Sequence, residues 1–201
     1  MEDRVEIVAA HEGLVVTSRA KVERCRRRSR RTLCMPQFGP DSGSIVVRTS
    51  REGRAAKMGH DLVIDVTGWS ADVDLDGGAV TLDVDPGSLR VREGVGGLKP
   101  LSAGDKAKIE QTITAKVLRR DPISFRSTAV DLGPPLVVAG ELTLGGRTRP
   151  LQARVELVGD TATATVRVRQ SAWGMKPYST MMGALRVGDE VEVGLTVRFV
   201  R

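Results

Sequence analysis

Aromatic side chains are scarce in this chain. Three Phe, two Trp and one Tyr among 201 residues are too few for a generous base-stacking platform. Cysteine and histidine are scarcer, at two each. Two thiols cannot furnish a four-cysteine zinc site or a disulfide framework, and two imidazoles leave little for metal or acid–base chemistry. No run approaches the ~18–20 consecutive apolar residues of a membrane-spanning helix. What is present is ordinary for a globular chain: 40% hydrophobic and 28% charged residues, enough for one domain with a real core.

The one excess is of positive charge. The formal net charge of +6 raises the question of nucleic acid or an anionic membrane. It is unevenly placed: residues 1–34 hold nine Lys/Arg and five Asp/Glu, so this short stretch carries four of the six net charges. Arg24, Arg26, Arg27, Arg28, Arg30 and Arg31 form its dense centre, and His11, Cys25 and Cys34 lie in it too. A secretory signal needs an apolar segment after its basic stretch. Here Thr32-Leu33-Cys34-Met35-Pro36 follows, so no signal is read and a cytoplasmic protein is expected. We expect residues 1–34 to be a basic, disordered extension, with Met35 as the candidate true start and the two thiols incidental. The competing reading is an interaction module that contacts nucleic acid or a protein through Arg24–Arg31.

From Ser44 onward the chain alternates apolar and polar residues with period two, the mark of half-buried strands. Ile45 and Val47 share one face, and Leu62, Ile64 and Val66 another. After Gly68 the apolar phase moves to Trp69, Ala71, Val73 and Leu75, which predicts a bulge or sharp bend in a long strand. Asp76-Gly77-Gly78 reads as a hairpin turn into Val80, Leu82 and Val84. A loop is expected from Asp85-Pro86-Gly87 to Pro100. Ser102 and Asp105 resemble a capping box. Behind it Ala107, Ile109, Ile113, Val117 and Leu118 recur at helical spacing, which predicts one helix over 102–118 with a single buried stripe. Strands resume at Ile123–Val130, Leu136–Leu144, Leu151–Leu157, Ala162–Val168 and Val191–Phe199, joined by Gly145-Gly146, by Gly159-Asp160 and by a loop over 170–188. The fold expected is mainly β: an antiparallel, eight-stranded barrel with one α-helix, over residues 43–201.

An eight-stranded barrel is either filled by side chains or wide enough for one small ligand. Filling needs bulk, and the row Ala162, Ala164, Val166, Val168 is thin. A lengthwise apolar tunnel and a flattened, fully packed barrel are both open on this evidence. A tunnel would select a long, slim aliphatic molecule, gaining roughly 0.8 kcal/mol for each methylene taken in.

Several segments resemble one family. Gly59-His60-Asp61-Leu62 with Gly68-Trp69 resembles the opening of the bacterial YceI-like family. Asp121-Pro122-Ile123-Ser124-Phe125-Arg126-Ser127-Thr128 is similar to its Pro-x-x-x-Phe-x-Ser-Thr strand, and Gly140-Glu141-Leu142-Thr143 through Arg149-Pro150 to its Gly-x-Leu-Thr hairpin. Ser171-Ala172-Trp173-Gly174-Met175 and Val187-Gly188-Asp189-Glu190-Val191 resemble its closing pattern. Gly145 stands where the family has a histidine, and Gln170 where it has an arginine. The resemblance implies a lipocalin-like, polyisoprenoid-binding barrel. It would carry or sequester an isoprenoid, an isoprenoid quinone or a fatty chain as ligand, with no cofactor and no metal.

The lining and mouth residues expected on this reading are His60, Leu62, Ile64, Trp69, Phe125, Leu142, Val155, Val166, Trp173, Tyr178, Met181, Met182, Val193 and Leu195. His60 would meet a head group or cap a loop. The two tryptophans would line the tunnel or fill core, and Met181 and Met182 would adapt to a lipid or pack over a barrel end. His60 with Asp61 is a tempting acid–base pair, but no recognisable motif completes a triad. No enzyme is therefore expected, although a barrel acting on a hydrophobic substrate stays open. A homodimer paired along a strand edge stays open as well.

Overall fold

The computed structural model describes residues 36–74 and 77–199, together with two short paired strands, Val8–Ala9 and Leu14–Val15. The expectations for Cys25, Cys34 and the Arg24–Arg31 run fall outside the described residues, as do those for Leu75 and Asp76.

The alternating segments form one antiparallel sheet. Its strands in chain order are β1 (Gln37–Phe38), β2 (Gly43–Thr49), β3 (Asp61–Val66), β4 (Trp69–Asp74), β5 (Ala79–Val84) and β6 (Leu89–Val95). Then come β7 (Ile123–Asp131), β8 (Leu136–Leu144), β9 (Arg147–Val158), β10 (Thr161–Arg169) and β11 (Glu190–Arg198). The hydrogen-bonded order is β1-β4-β5-β7-β8-β9-β10-β11-β2-β3-β6. The sheet thus has eleven strands and not the eight expected. Two long strands bend and each is divided in two, and the two-residue β1 is added at one edge.

The bend is what curls the sheet into a barrel. β3 runs into β4 through Thr67-Gly68, and β5 runs into β6 through Asp85–Ser88. The paired corners hold each other: the Thr67 amide donates to Ser88 O at 3.0 Å and the Asp85 amide to Gly68 O at 2.9 Å. A Cβ on Gly68 would lie 2.9 Å from Ser88 Cβ, so the close approach requires glycine. This is the phase change at Gly68 seen in the sequence. Because β3–β4 is one bent strand, the two ends of the hydrogen-bonded order are tied together, and its inward faces enclose a common interior.

The stretch after Asp85 is a correction. Leu89–Val95 is a strand paired with β3, with a register shift opposite Val63/Ile64. Only Leu89 and Val91 point inward there, and the shift breaks the alternation, so periodicity alone reads it as loop. β6 is a sheet edge, and side chains cover it. Glu110 accepts from the Val91 amide at 2.8 Å, and Lys106 donates to Arg92 O at 2.6 Å, which satisfies groups that would otherwise template pairing.

Both charged side chains come from α1 (Ala103–Thr112). Ser102 caps it with the reciprocal Asp105 bond of a true capping box, which together with Ser102 Oγ holds the Asp105 carboxyl below the usual range. A π-turn, Ile113–Val117, continues the helical run to the predicted end. The predicted stripe is narrower than expected: Ile109, Ile113, Val117 and Leu118 face the interior, while Ala107 is exposed. No helix among the described residues is long and apolar enough to cross a membrane.

Candidate functional site

The inward faces of β2–β5 and β7–β11, with Leu89 of β6, surround a cavity of about 690 Å³. Its wall is Val, Leu, Ile and Ala, including all four residues of the thin row, Ala162, Ala164, Val166 and Val168. The row is thin because β10 alternates these side chains with Thr and Arg that face outward. Nothing bulky crosses from β10 to meet the opposite wall, so the interior stays hollow. Two aromatics stand at one end. Phe38 and Phe199 meet edge to face with ring centroids 5.3 Å apart, a favourable aromatic geometry. The Phe199 amide donates to Asp160 O at 2.8 Å, which places the pair beside the β9–β10 turn.

The other end is polar and cationic. Arg51, His60, Lys108 and Arg186 reach the cavity there, with Thr49, Gln170, Tyr178 and Thr180, and no Asp or Glu among the described residues lines it. Arg51 continues the inward alternation Ile45, Val47, Thr49. Its Nη1 donates to Gly59 O at 2.8 Å and to Val95 O at 2.9 Å, and its amide donates to Asp61 at 2.7 Å. This one side chain ties the 51–60 loop to the end of β6. Arg186 pairs with Glu52 at 3.1 Å, on a small sheet in which Leu185–Val187 lies between Arg51–Glu52 and Ser179–Thr180. Gln170, buried, donates from Nε2 to Gly188 O at 2.9 Å. Asp189 accepts from the Ser171 amide at 2.8 Å and from its hydroxyl, and these bonds hold its carboxyl below the usual aspartate range. Together these contacts pin the 170–188 loop across the barrel end.

Ten of the fourteen residues singled out in the sequence meet in this cavity: His60, Leu62, Ile64, Phe125, Leu142, Val155, Val166, Tyr178, Val193 and Leu195. Four stand elsewhere. Trp69 is buried core at the corner after Gly68, its indole N–H without a partner among the described residues. Trp173 is buried beside the hairpin strand β8, where its Nε1 donates to Leu142 O at 3.0 Å. Met181 and Met182 project outward from the mouth loop, half and fully exposed. His60 and Asp61 do not meet as an acid–base pair. His60 Nε2 lies 2.9 Å from Lys99 O, and Asp61 takes the Arg51 amide. Reasoning from sequence missed Arg51, Lys108, Gln170 and Arg186. Arg51 carried a readable signal, since it extends the period-two face of β2 by one step, and Gln170 stood out only against the family pattern.

One solved structure shares this architecture. In fold, the chain is similar to BcnA of Burkholderia cenocepacia, with TM-score 0.53 and 16% identity over 79% of this chain and 96% of that one. The YceI protein of Campylobacter jejuni aligns at TM-score 0.42 and 9% identity, over 86% of this chain and 88% of that one. No curated protein matches the chain in sequence. Residues 42–199 match the YceI-like domain, so the chain belongs to the YceI-like family.

Proposed function

We propose that the barrel binds and carries one slim hydrophobic chain, an isoprenoid, an isoprenoid quinone or a fatty chain, with its polar end at the Arg51–His60 mouth. The observation that carries this reading is the apolar cavity of about 690 Å³ with no acid among the described residues in its lining. Membership of a lipid-binding family supports it. At ~30 Å³ for a water-sized group, the space suits roughly 20–25 heavy atoms. Burying such a chain releases apolar surface from water along its whole length. The walls offer no polar partner to a sugar or nucleotide, whose hydroxyls would be left unpaired. The mouth supplies donors, and its cations favour a polar or anionic end over a cationic one. The site's reading is of binding and not of catalysis, since its histidine lies against the Lys99 carbonyl and the neighbouring Asp61 is taken by the amide and guanidinium of Arg51.

Native mass spectrometry of the full chain tests this. Co-purifying lipid of one chain per protein is expected. Ala164→Phe places a ring in the cavity from the thin row, between Val155 and Leu195, and should reduce occupancy at least about tenfold with the melting temperature kept within a few degrees. Protein that emerges from the native membrane-lipid pool empty, and that takes up neither a C16–C20 fatty acid nor a prenol when offered one, overturns the proposal.

A further inference from the structure

We propose that the mouth of the barrel is a docking face for an anionic lipid bilayer. Three loops form it: 51–60, 94–101 and 174–188. They are fastened to one another. The Ala55 amide donates to Ala184 O at 2.9 Å, Arg51 Nη1 bonds Val95 O, and His60 holds Lys99 O. Six of the nine large hydrophobic side chains that stand exposed among the described residues lie on these loops. The most prominent are Leu98, 75% exposed, and Met182, which is fully exposed. Met181 and Met182 both hold a left-handed backbone, at φ 51° and 55°. That conformation disfavours side chains of this kind, yet here it throws two apolar tips outward where glycine or asparagine would serve a simple turn.

Charge completes the pattern. Across the same three loops there are six Lys or Arg and one acid, Glu52. Arg54, Lys57, Lys99 and Lys176 are exposed among the apolar tips. The opposite end differs: its turn residues 132–135 carry no charge, and its 158–160 turn carries an acid, Asp160. Single apolar tips separated by cations do not make the continuous apolar core of a protein interface. They do suit a bilayer surface, where each tip enters the acyl boundary and each cation meets a phosphate. The cavity reaches the surface between these loops, at Met58 and Tyr178. A chain could therefore pass from bilayer to barrel without crossing water. That passage rests on the ligand reading above; the docking itself does not.

The test is cosedimentation of the full chain with vesicles of phosphatidylcholine, with and without about 30% phosphatidylglycerol. Binding is expected only with the anionic lipid, and it should weaken as salt rises. Leu98→Ser with Met182→Ser should lower partitioning about tenfold, and so should Lys57→Glu with Lys99→Glu and Lys176→Glu. All five positions are exposed, so unchanged melting curves certify the fold. Ala164→Phe should dock as the parent does while losing its chain, which separates failure of the ligand reading from failure of docking. The Arg24–Arg31 run is the control. If Arg26→Gln with Arg27→Gln and Arg28→Gln abolishes binding and the mouth variants do not, the proposal is overturned. It is equally overturned if no vesicle binds, or if the mouth captures an acidic protein and not the bilayer.

Discussion

The two long walls of the barrel face the same cavity but differ in how they are packed. On β2, β3 and β6, Ile45, Leu62, Ile64, Val66 and Leu89 are all buried, Ile64 to 2% exposure. On β9, β10 and β11, Leu151, Val155, Ala164, Val166, Val193 and Leu195 line the cavity only half-buried, with full burial near the strand ends, at Val168 and Val197. The packed wall has larger side chains, the paired corner at Gly68 and Ser88, and α1 against its edge. The thin wall has alanines and valines with a few leucines, and they border the cavity. Interiors normally close to crystal-like density, so the unfilled wall is what leaves the cavity open. Close packing is concentrated on one side of the molecule and open volume on the other.

Ile64→Ala is the largest test of that difference. It removes the most buried large side chain of the packed wall and should cost about 3 kcal/mol, within the range for truncating buried Ile or Leu. Urea or thermal unfolding would measure it. A loss below ~1 kcal/mol would show that the packed wall is no better packed than the thin one.

The next effect concerns how the thin wall is held at its open end. Ser171 and Asp189 lie at the ends of β10 and β11 and latch the mouth loop across them. The Asp189 carboxyl is held below its usual range by the Ser171 hydroxyl and amide. A lowered folded pKa contributes stability that is present above the unfolded aspartate value, near ~3.9, and lost as pH falls through the folded value. Ser171→Ala should therefore cost about 1 kcal/mol at neutral pH, discounted for solvent exposure. The gap between parent and variant should close in acid. A gap that stayed constant with pH would assign the latch to packing and not to the charged hydrogen bond.

Much of this division was legible from residue order. Alternation located the long strands, the phase change at Gly68 located the corner, and the thin row at 162–168 raised a hollow interior beside a packed one. The mouth was less legible for a physical reason. Arg51 acts by donating to the carbonyls of Gly59, across its own loop, and of Val95, 44 residues on, and no local pattern encodes such a partner. Met181 and Met182 failed differently. Hydrophobicity says that a side chain can be buried, but not whether a turn in left-handed backbone will point it outward. Trp69 and Trp173 illustrate a third limit. Period two assigns a side chain to a face, while the corner and the closing turn decide whether that face meets core or cavity.

The smallest effect is the most discriminating for the thin wall. Val166 lies between β9 and β11 on the half-buried face and pairs in register with Val193. Truncating a valine that touches a packed neighbour on every side would remove two methyl groups' worth of contact and leave a void. Val166 already faces a cavity, so Val166→Ala removes contacts on one side only and enlarges a space that exists. Its cost should be under ~1 kcal/mol, about a third of the Ile64→Ala loss. The same substitution should lengthen the longest fatty acid that competes for the site, because the added volume lies inside the ligand's own space. If Val166→Ala instead unfolds the protein as readily as Ile64→Ala, the thin wall is load-sharing core, and the division of stability from capacity between the two walls fails.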